Sequence, residues 1–450
     1  MSLREFLGQA EKEKEILHVK DRVSTRFQVA YVMKQFDCEG PILCFDDVKD
    51  FETSVVANVS GTRKRVCSAL GVSQELLWRR MIEVWRCPMR PKTVKSAAVK
   101  ECVQRDVDLS KVPVLTHFES DAGPYITSAV VHARSIDGNI ENVSVHRLEV
   151  LDKRRLAIRL VPRHLSSLFQ AARKAGKDLD VAISVGVHPA VLLAASSPLP
   201  FGVCEYDVAN AMLNGGLKLT ECDRVNASAV ADAELVLEGR ISGSKEVVEG
   251  PFVDITGTCD VQRKQPVVDV VGVMHRENYL YHALLSSGME HLILMGLPRE
   301  ALIWDAVSKV VPKVFAVNLS IGGSGWLHAV ISIEKQVEGD GKNALLAAFA
   351  AHPSLKHAVV VDSDIDVFDV SDVEWAVATR FQGSEDLVVI ENVRGSTLDP
   401  SADQEKVLTS KVGFDATRPF AKPKEKFERA RIPFDQGLEK LVRRLKKLWL

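Results

Sequence analysis

The strongest constraint on this chain lies between residues 126 and 161. Three apolar, β-branched stretches, Ile126 to Ala133, Asn142 to Leu151 and Leu156 to Val161, follow one another closely. Turn signals punctuate them: Asp121-Ala-Gly-Pro before the first, Asp137-Gly after it, and Asp152-Lys-Arg-Arg before the third. Strands joined by such short turns pair antiparallel with their sequence neighbours, as a β-meander or barrel. A helix from His164 to Ala175 and a buried strand from Val181 to Val187 come next. Tyr206 to Leu213 has a short helical pattern, and strand character returns at Glu234 to Gly239 and Val267 to Met274.

On either side the texture differs. Leu3 to Leu17 reads as a polar helix, Val66 to Arg86 as one or two helices, and Arg86 to Lys100 as a proline-broken linker. After about residue 290 helix and strand alternate. Ala301 to Val310, Ala344 to Ala351 and Val370 to Arg380 are helical; Val314 to Leu319, Leu327 to Ile333, Ala358 to Val361 and Leu387 to Ile390 are strands. Ala358 to Val361 is apolar throughout, as a strand covered on both faces is. The fold class expected is α+β, with a barrel between two α/β regions. The divisions are 1–104, 105–300, 301–435 and a terminal helix 436–450. A length of 450 residues suits about three domains. In the tail, Leu438, Leu441, Leu445 and Leu448 share one face of a basic amphipathic helix, which reads as docked on its own or a partner subunit.

Composition excludes several function classes. With 58 basic and 60 acidic residues the net charge is −2, so no broad field favours nucleic acid. The 8 cysteines are scattered with no CxxC pair, against a zinc ribbon or thioredoxin-type motif and in keeping with a reducing cytoplasm. The amino terminus lacks an apolar secretory core. The most apolar stretch, Val181 to Val203, is broken by His188, Pro189, Pro198 and Pro200, and reads as strand, turn and loop rather than a membrane span.

Two apparent motifs fail. Asp362-Ser-Asp364-Ile-Asp366 opens like a calcium loop, but Val367 and Val373 stand where Gly and Glu are needed, so these acids are expected to cap a strand end and a helix start. Gly322-Gly-Ser-Gly325 lacks the Lys-Ser/Thr of a P-loop. Four segments carry more chemistry. In Asn142-Val-Ser-Val-His-Arg147, strand alternation puts Asn142, Ser144 and His146 on one face and Arg147 on the other. Arg163-His164 sits at a strand–helix junction. Ser196-Ser-Pro-Leu-Pro-Phe-Gly-Val-Cys-Glu205 is a proline-rich loop ending in a carboxylate. Glu249-Gly-Pro-Phe-Val-Asp254 sets two acids across a Gly-Pro turn, which can aim both at one volume. Their repulsion raises one pKa while a nearby arginine holds the other ionised. Each segment alone is also compatible with ordinary surface, capping or turn roles.

Taken in order, these motifs resemble the UbiD family of decarboxylases. So do Asp121-Ala-Gly-Pro-Tyr-Ile-Thr127, Met295-Gly-Leu-Pro-Arg-Glu-Ala301, Lys356 to Asp366 and Lys411 to Thr417, a likeness running from about residue 105 to 420. The resemblance implies a split β-barrel that holds prenylated FMN, and a reversible non-oxidative decarboxylation. It implies a catalytic triad of Arg147, Glu249 and Asp254, with Arg147 clamping the substrate carboxylate and Asp254 standing where many relatives have Glu. It implies metal ligands Asn142, His164 and Glu205 for Mn²⁺ or Mg²⁺, an oxygen-rich set with one imidazole suited to bridging a phosphate, and K⁺ near Ser196 and Ser197. The cofactor-binding residues implied are Asn142, Ser144, Val145, His146, Arg147, Arg163, His164, Ser196, Ser197, Pro198, Glu205 and Lys356. The partners implied are a small α,β-unsaturated acid, a UbiX-type flavin prenyltransferase as cofactor supplier, and further copies of the chain in a dimer or larger assembly; stable membrane insertion is not expected. The chain is short, like compact archaeal-type members, one role of which is to convert trans-anhydromevalonate 5-phosphate to isopentenyl phosphate. The alternatives are an aromatic 4-hydroxybenzoate-type decarboxylase of quinone synthesis and a non-catalytic flavin-binding subunit.

Overall fold

The computed structural model describes residues 1–430, 432, 433 and 436–449. The chain opens with α1 (Leu3–Lys12), started by a capping box in which Ser2 and Glu5 satisfy each other's backbone N–H groups. The apolar pattern that ran on to Leu17 belongs to two elements, because β1 (Ile16–Val19) follows at once. With α2 (Gln28–Gln35), β2 (Ile42–Phe45), β3 (Val55–Ala57), α3 (Arg63–Leu70) and α4 (Leu77–Arg86) it forms an amino-terminal α/β layer.

The meander is present as read. β4 (Tyr125–Arg134), β5 (Glu141–Val150) and β6 (Arg155–Ile158) pair antiparallel in sequence order. After α5 (His164–Lys174), β7 (Leu179–Val185) pairs with the free edge of β4. The chain then runs through α6 (Pro189–Ala195) and α7 (Glu205–Met212) to two long strands, β8 (Leu235–Glu249) and β9 (Arg263–His275). β8 pairs with β7, β9 pairs with β6, and β8 and β9 pair with each other, which closes a six-strand barrel. Closure removes the exposed edges that an open sheet would leave. Strand alternation divides the apolar residues between two cores. Val131, Leu148, Leu156, Val181, Leu235 and Val268, one from each barrel strand, share one cluster. Val130, Ala182 and Val236, of opposite parity, join a second cluster with α3, α4, α6 and α7.

α6 replaces the turn and loop expected after β7. Pro189 occupies its first turn, where a missing N–H costs nothing, and His188 Nδ1 accepts from Ala190 N at 3.2 Å. Every residue of α6 is buried, so it shows no amphipathic period. β10 (Tyr281–Ala283) then returns to the amino-terminal layer and pairs with β3, giving the sheet order β1-β2-β3-β10. α8 (Met289–Val307) starts well before the expected Ala301, and it too is buried over most of its surface despite Pro298.

The carboxy-terminal layer is a five-stranded sheet built from β11 (Val314–Leu319), β12 (His328–Ile333), β13 (His357–Asp362), β14 (Leu387–Arg394) and β15 (Leu408–Ala416), in the order β11-β12-β13-β15-β14. α9 (Asp340–Ala351) and α10 (Val370–Arg380) cover it. The aspartates after β13 serve differently from the caps expected. Asp362 and Asp364 accept from the Arg380 guanidinium, and Asp369 caps α10. The last helix, α11 (Gln436–Trp449), leaves Leu438, Leu445, Leu448 and Trp449 exposed on the described chain; Leu450 lies outside the described residues. Among those residues no helix is long and apolar enough to cross a membrane.

Buried neutral histidines make the fold acid-sensitive. Burial pushes His117, His132 and His146 down to about 4. Between pH about 6.5 and 4 the unfolded chain therefore binds protons that the folded chain does not, and stability falls as pH drops through that window. Urea midpoints measured across the window should decline steadily; a flat profile would show that these histidines stay charged in the fold.

Candidate active site

β5 carries chemistry on both faces. On one, Asn142, Ser144 and His146 form a chain of hydrogen bonds. His146 Nδ1 lies 3.0 Å from the Arg159 carbonyl, which only a ring N–H can satisfy, so Nε2 is left as an acceptor. Ser144 Oγ lies 2.9 Å from that Nε2 and 3.1 Å from Asn142 Oδ1. Its one hydroxyl proton is shared between these two acceptors, so Asn142 Oδ1 keeps a further lone pair. Asn142 Nδ2 donates to Glu205 Oε1 at 3.1 Å, and Val143 N donates to Glu205 Oε2 at 2.6 Å. Glu205 opens α7 and is buried; burial, outweighing those two donors, pushes its carboxyl up to about 8. A buried acid and an amide oxygen with no cation among the described groups is a donor set that fits a divalent metal. His164 begins α5, and its ring packs edge-on against Phe201, in the loop leading to Glu205. Burial and the charge of Arg163 lower its pKa, so it is neutral and able to ligate at pH 7.

The other face of β5 presents Arg147. Its Nε and Nη2 donate to the two oxygens of Glu249 at 2.9 and 3.1 Å, a bidentate pair. Nη1 donates to Asp254 Oδ2 at 2.6 Å, and Nη2 also reaches Asp260 Oδ2 at 3.0 Å. Burial lowers the guanidinium's pKa and the three acids raise it further, so it stays charged. Phe252 covers it, with its ring centroid 4.7 Å from Cζ.

The turn that supplies the acids is fixed locally. Glu249 ends β8, and Gly250 takes a φ of +90°, open to glycine and strained for other residues. Asp121 accepts from Phe118 N and Val253 N, both at 3.0 Å, which ties the turn to the segment before β4. A short hairpin then pairs Phe252 with Asp260 and Val253 with Cys259, which returns Asp260 to the same guanidinium that Asp254 meets. Burial raises Asp260, but Arg263, Arg147 and Arg159 more than reverse it, so the group sits below the usual carboxylate range. Glu149 lies behind, accepting from Tyr125 Oη at 3.1 Å and from Gly250 N at 3.2 Å; burial raises its pKa.

The structure therefore gathers the sequence-derived residues into two clusters, Asn142–Ser144–His146–Glu205 and Arg147–Glu249–Asp254. Val145 packs half-buried against the helical core. Arg163 caps α5 without an ion-pair partner among the described residues. Ser196 ends α6, and its carbonyl accepts from Arg299; Ser197 Oγ is spent on the Leu193 carbonyl at 2.9 Å, and Pro198 follows half-buried. Lys356 stands apart from both clusters, paired with Asp399 at 2.9 Å and with Ser401.

Sequence reading missed Asp260, Arg299 and His291. Asp260 lies eleven residues past Glu249 and reaches the site only through the hairpin. His291, near the start of α8, feels both Asp254 and Arg147, and burial lowers its pKa. Its Nδ1 accepts from Ser287 N at 3.2 Å, so the proton is on Nε2. Nothing in the local sequence marks α8 as lining this site.

The closed barrel thus carries a buried guanidinium–carboxylate cluster on one face of a strand and an amide–carboxylate pair on the other. Comparisons with known proteins identify the relatives of this fold. Three models of the 3-octaprenyl-4-hydroxybenzoate carboxy-lyase match: the amino-terminal domain over residues 7–85, the Rift-related domain over 92–289 and the carboxy-terminal domain over 292–416. The anhydromevalonate phosphate decarboxylase of Methanothermobacter thermautotrophicus is 42% identical over 95% of this chain and 99% of its own. That of Methanosarcina mazei is 43% identical over 96% and 100%. The UbiD-class enzyme HmfF of Pelotomaculum thermopropionicum, solved with FMN, superposes with a TM-score of 0.94 at 41% identity, covering 98% of each chain. An evolved dimeric form of it, solved with prenylated FMN, gives 0.90 at 39% identity, again over 98% of each. The chain belongs to the UbiD family.

The charge balance of the cluster yields a stability test. Asp260→Asn leaves Arg147, Arg159 and Arg263 with one carboxylate fewer, and should cost about 3 kcal/mol in urea unfolding. Glu246→Gln, which breaks the exposed pair with Arg173, should cost under about 0.5 kcal/mol. Equal effects would contradict the view that Asp260 neutralises the buried cluster.

Proposed function

We propose that this chain is a prenylated-FMN-dependent carboxy-lyase that converts trans-anhydromevalonate 5-phosphate to isopentenyl phosphate and CO₂. The observation that carries this reading is the buried Arg147 guanidinium, held from one side by Glu249 and shared on the other with Asp254. The two acids are held unequally. Glu249 is bidentate on the guanidinium with a fully buried side chain, whereas Asp254 makes one bond to it, accepts from Ile255 N at 2.7 Å through its other oxygen, and is 18% exposed. A substrate carboxylate therefore enters by taking Nη1 from Asp254 while Glu249 keeps the guanidinium oriented. The C1–C2 bond of the substrate breaks, CO₂ leaves, and C2 takes a proton in place of the carboxylate. Asp254, displaced but still adjacent, is the donor. Its side chain is one methylene shorter than Glu, so C2 lies close to the turn. His291 on α8 is close enough for the charges of Asp254 and Arg147 to act on it.

Prenylated FMN, when bound, supplies the electron sink for the decarboxylation. We assign it to the barrel region, residues 105–300, with Ser144, Val145, His146, Arg163 and Pro198 along its cleft, and with Lys356 contributed from the carboxy-terminal layer. Asn142, His164 and Glu205 would hold Mn²⁺ or Mg²⁺ against its phosphate, and K⁺ would sit beside Ser196 and Ser197. A UbiX-type prenyltransferase would supply the cofactor in the cytoplasm. The exposed apolar face of α11 suits a homodimer or larger assembly, and an evolved HmfF is dimeric.

Purified holoenzyme should release CO₂ from the phosphorylated enoic acid and not from 4-hydroxybenzoate; turnover of the benzoate alone would overturn the substrate. Asp254→Asn should lower kcat by about 10²-fold or more with the flavin still bound, and an unchanged rate would remove Asp254 as donor.

Metal binding carries its own pH signature. Glu205 must lose a proton that it holds up to about pH 8 in the metal-free protein, so Mn²⁺ affinity should fall about tenfold per pH unit below that point. A pH-independent Kd by calorimetry would show that Glu205 is not a ligand.

A further inference from the structure

Three arginines in the described chain are buried: Arg65, Arg299 and Arg380. Two of them meet carboxylates, Arg65 at Glu15 and Arg380 at Asp362 and Asp364. Arg299 does not. Its Nη1 donates to the Ser196 and Met295 carbonyls, and Cζ lies 4.9 Å from the Trp326 ring centroid. Its Nε and Nη2 have no hydrogen-bond partner among the described residues, yet they are not among the sealed, unsatisfied polar atoms, so they face accessible space. A buried guanidinium without a counter-ion is costly, and a fold that keeps one is built for an anion that arrives later. Arg163 adds a second unpaired cation whose charge acts on Arg299, and Arg394 in turn acts on Arg163.

The location narrows the anion. Arg299 and His291 lie eight residues apart on α8, about 12 Å along the axis at 1.5 Å per residue. His291 lies near enough to Asp254 and Arg147 for both charges to act on it. One helix thus runs from the carboxylate-handling end of the cleft to Arg299, where the loop after α6 meets the carboxy-terminal layer. There Trp326 Nε1 donates to Ser396 Oγ at 3.2 Å, two residues from Arg394. We propose that Arg299, backed by Arg163, receives the phosphoryl group at the far end of the substrate, so that the cleft reads a phosphomonoester at one end and a carboxylate at the other. A planar guanidinium with two free N–H directions suits a phosphate dianion. This assignment rests on the phosphorylated substrate proposed above; the flavin's own phosphate is the competing occupant.

The test uses Arg299→Gln and Arg299→Lys holoenzymes. Three quantities are read: flavin per subunit, the Kd of isopentenyl phosphate, and the ratio of kcat/KM for the phosphorylated acid to that for its unphosphorylated alcohol. The expected result for Gln is an unchanged flavin content, an isopentenyl phosphate Kd raised about 100-fold, and a ratio lowered to match, with Lys intermediate. Loss of flavin with the ratio intact would assign Arg299 to the cofactor and overturn the proposal. An unchanged Kd and ratio with flavin retained would make Arg299 structural. If Arg299→Gln does not fold, Arg299→Lys carries the same comparison, and a wild-type ratio and Kd in it with flavin retained is contradictory. A wild-type enzyme that turns over only the unphosphorylated acid would sink the substrate reading itself, whereas normal turnover of the phosphorylated acid with an unmoved variant ratio sinks only this inference.

Discussion

The structure turns on one electrostatic requirement, that the Arg147 guanidinium be held out of water and charged. A buried cation persists only if anions meet it in good geometry. Glu249, Asp254 and Asp260 do so, and each arrives by a different route: the end of a barrel strand, the apex of a turn, and the return strand of a hairpin. The features around them serve that delivery. Gly250 provides the left-handed turn, Asp121 pins it from before β4, and Tyr125 and Glu149 brace it from below. Arg159 and Arg263 then offset the excess negative charge at Asp260. An unevenly shared guanidinium is also a switchable one, because the single bond to Asp254 can give way without releasing the pair with Glu249.

The barrel lets one strand serve two clusters. Successive side chains of β5 point to opposite faces, so Asn142, Ser144 and His146 line one face beside Glu205 while Arg147 faces the carboxylates on the other. Closure by β8 and β9 holds both faces in register, since a slip of one residue would exchange them. The helices add reach. α7 brings Glu205 to Asn142, and α8 runs from His291 near the acids to Arg299 near Ser196. The amino-terminal layer is tied in by β10, which follows the barrel yet completes a sheet that begins at residue 16.

Much of this was legible in the sequence, for identifiable reasons. The meander showed because β-branched runs alternated with strong turn signals, and the pairings of β4, β5 and β6 follow that order. The two faces of Asn142 to Arg147 followed from strand periodicity, and the Glu249–Asp254 pairing from a Gly-Pro turn that breaks any helical spacing. What stayed hidden lacked local signals. α6 and most of α8 are buried all round, so they carry no amphipathic period, and Pro189 and Pro298 look like breakers. Asp260 and His291 join Arg147 only through tertiary contacts, and Arg299 stands out only when its missing carboxylate partner is seen in three dimensions. The UbiD resemblance named Arg147, Glu249 and Asp254 together, and the fold brings them into contact, but the third acid on Arg147 came from geometry.

The central claim is that this cleft handles an acid beside a modified flavin. The most direct test is the mass and absorbance of the cofactor retained after anaerobic co-expression with an active flavin prenyltransferase. The account predicts prenylated FMN at about one per chain together with a divalent metal, both lost on Glu205→Ala. Unmodified FMN alone, or no flavin, from cells in which the prenyltransferase is demonstrably active would contradict it.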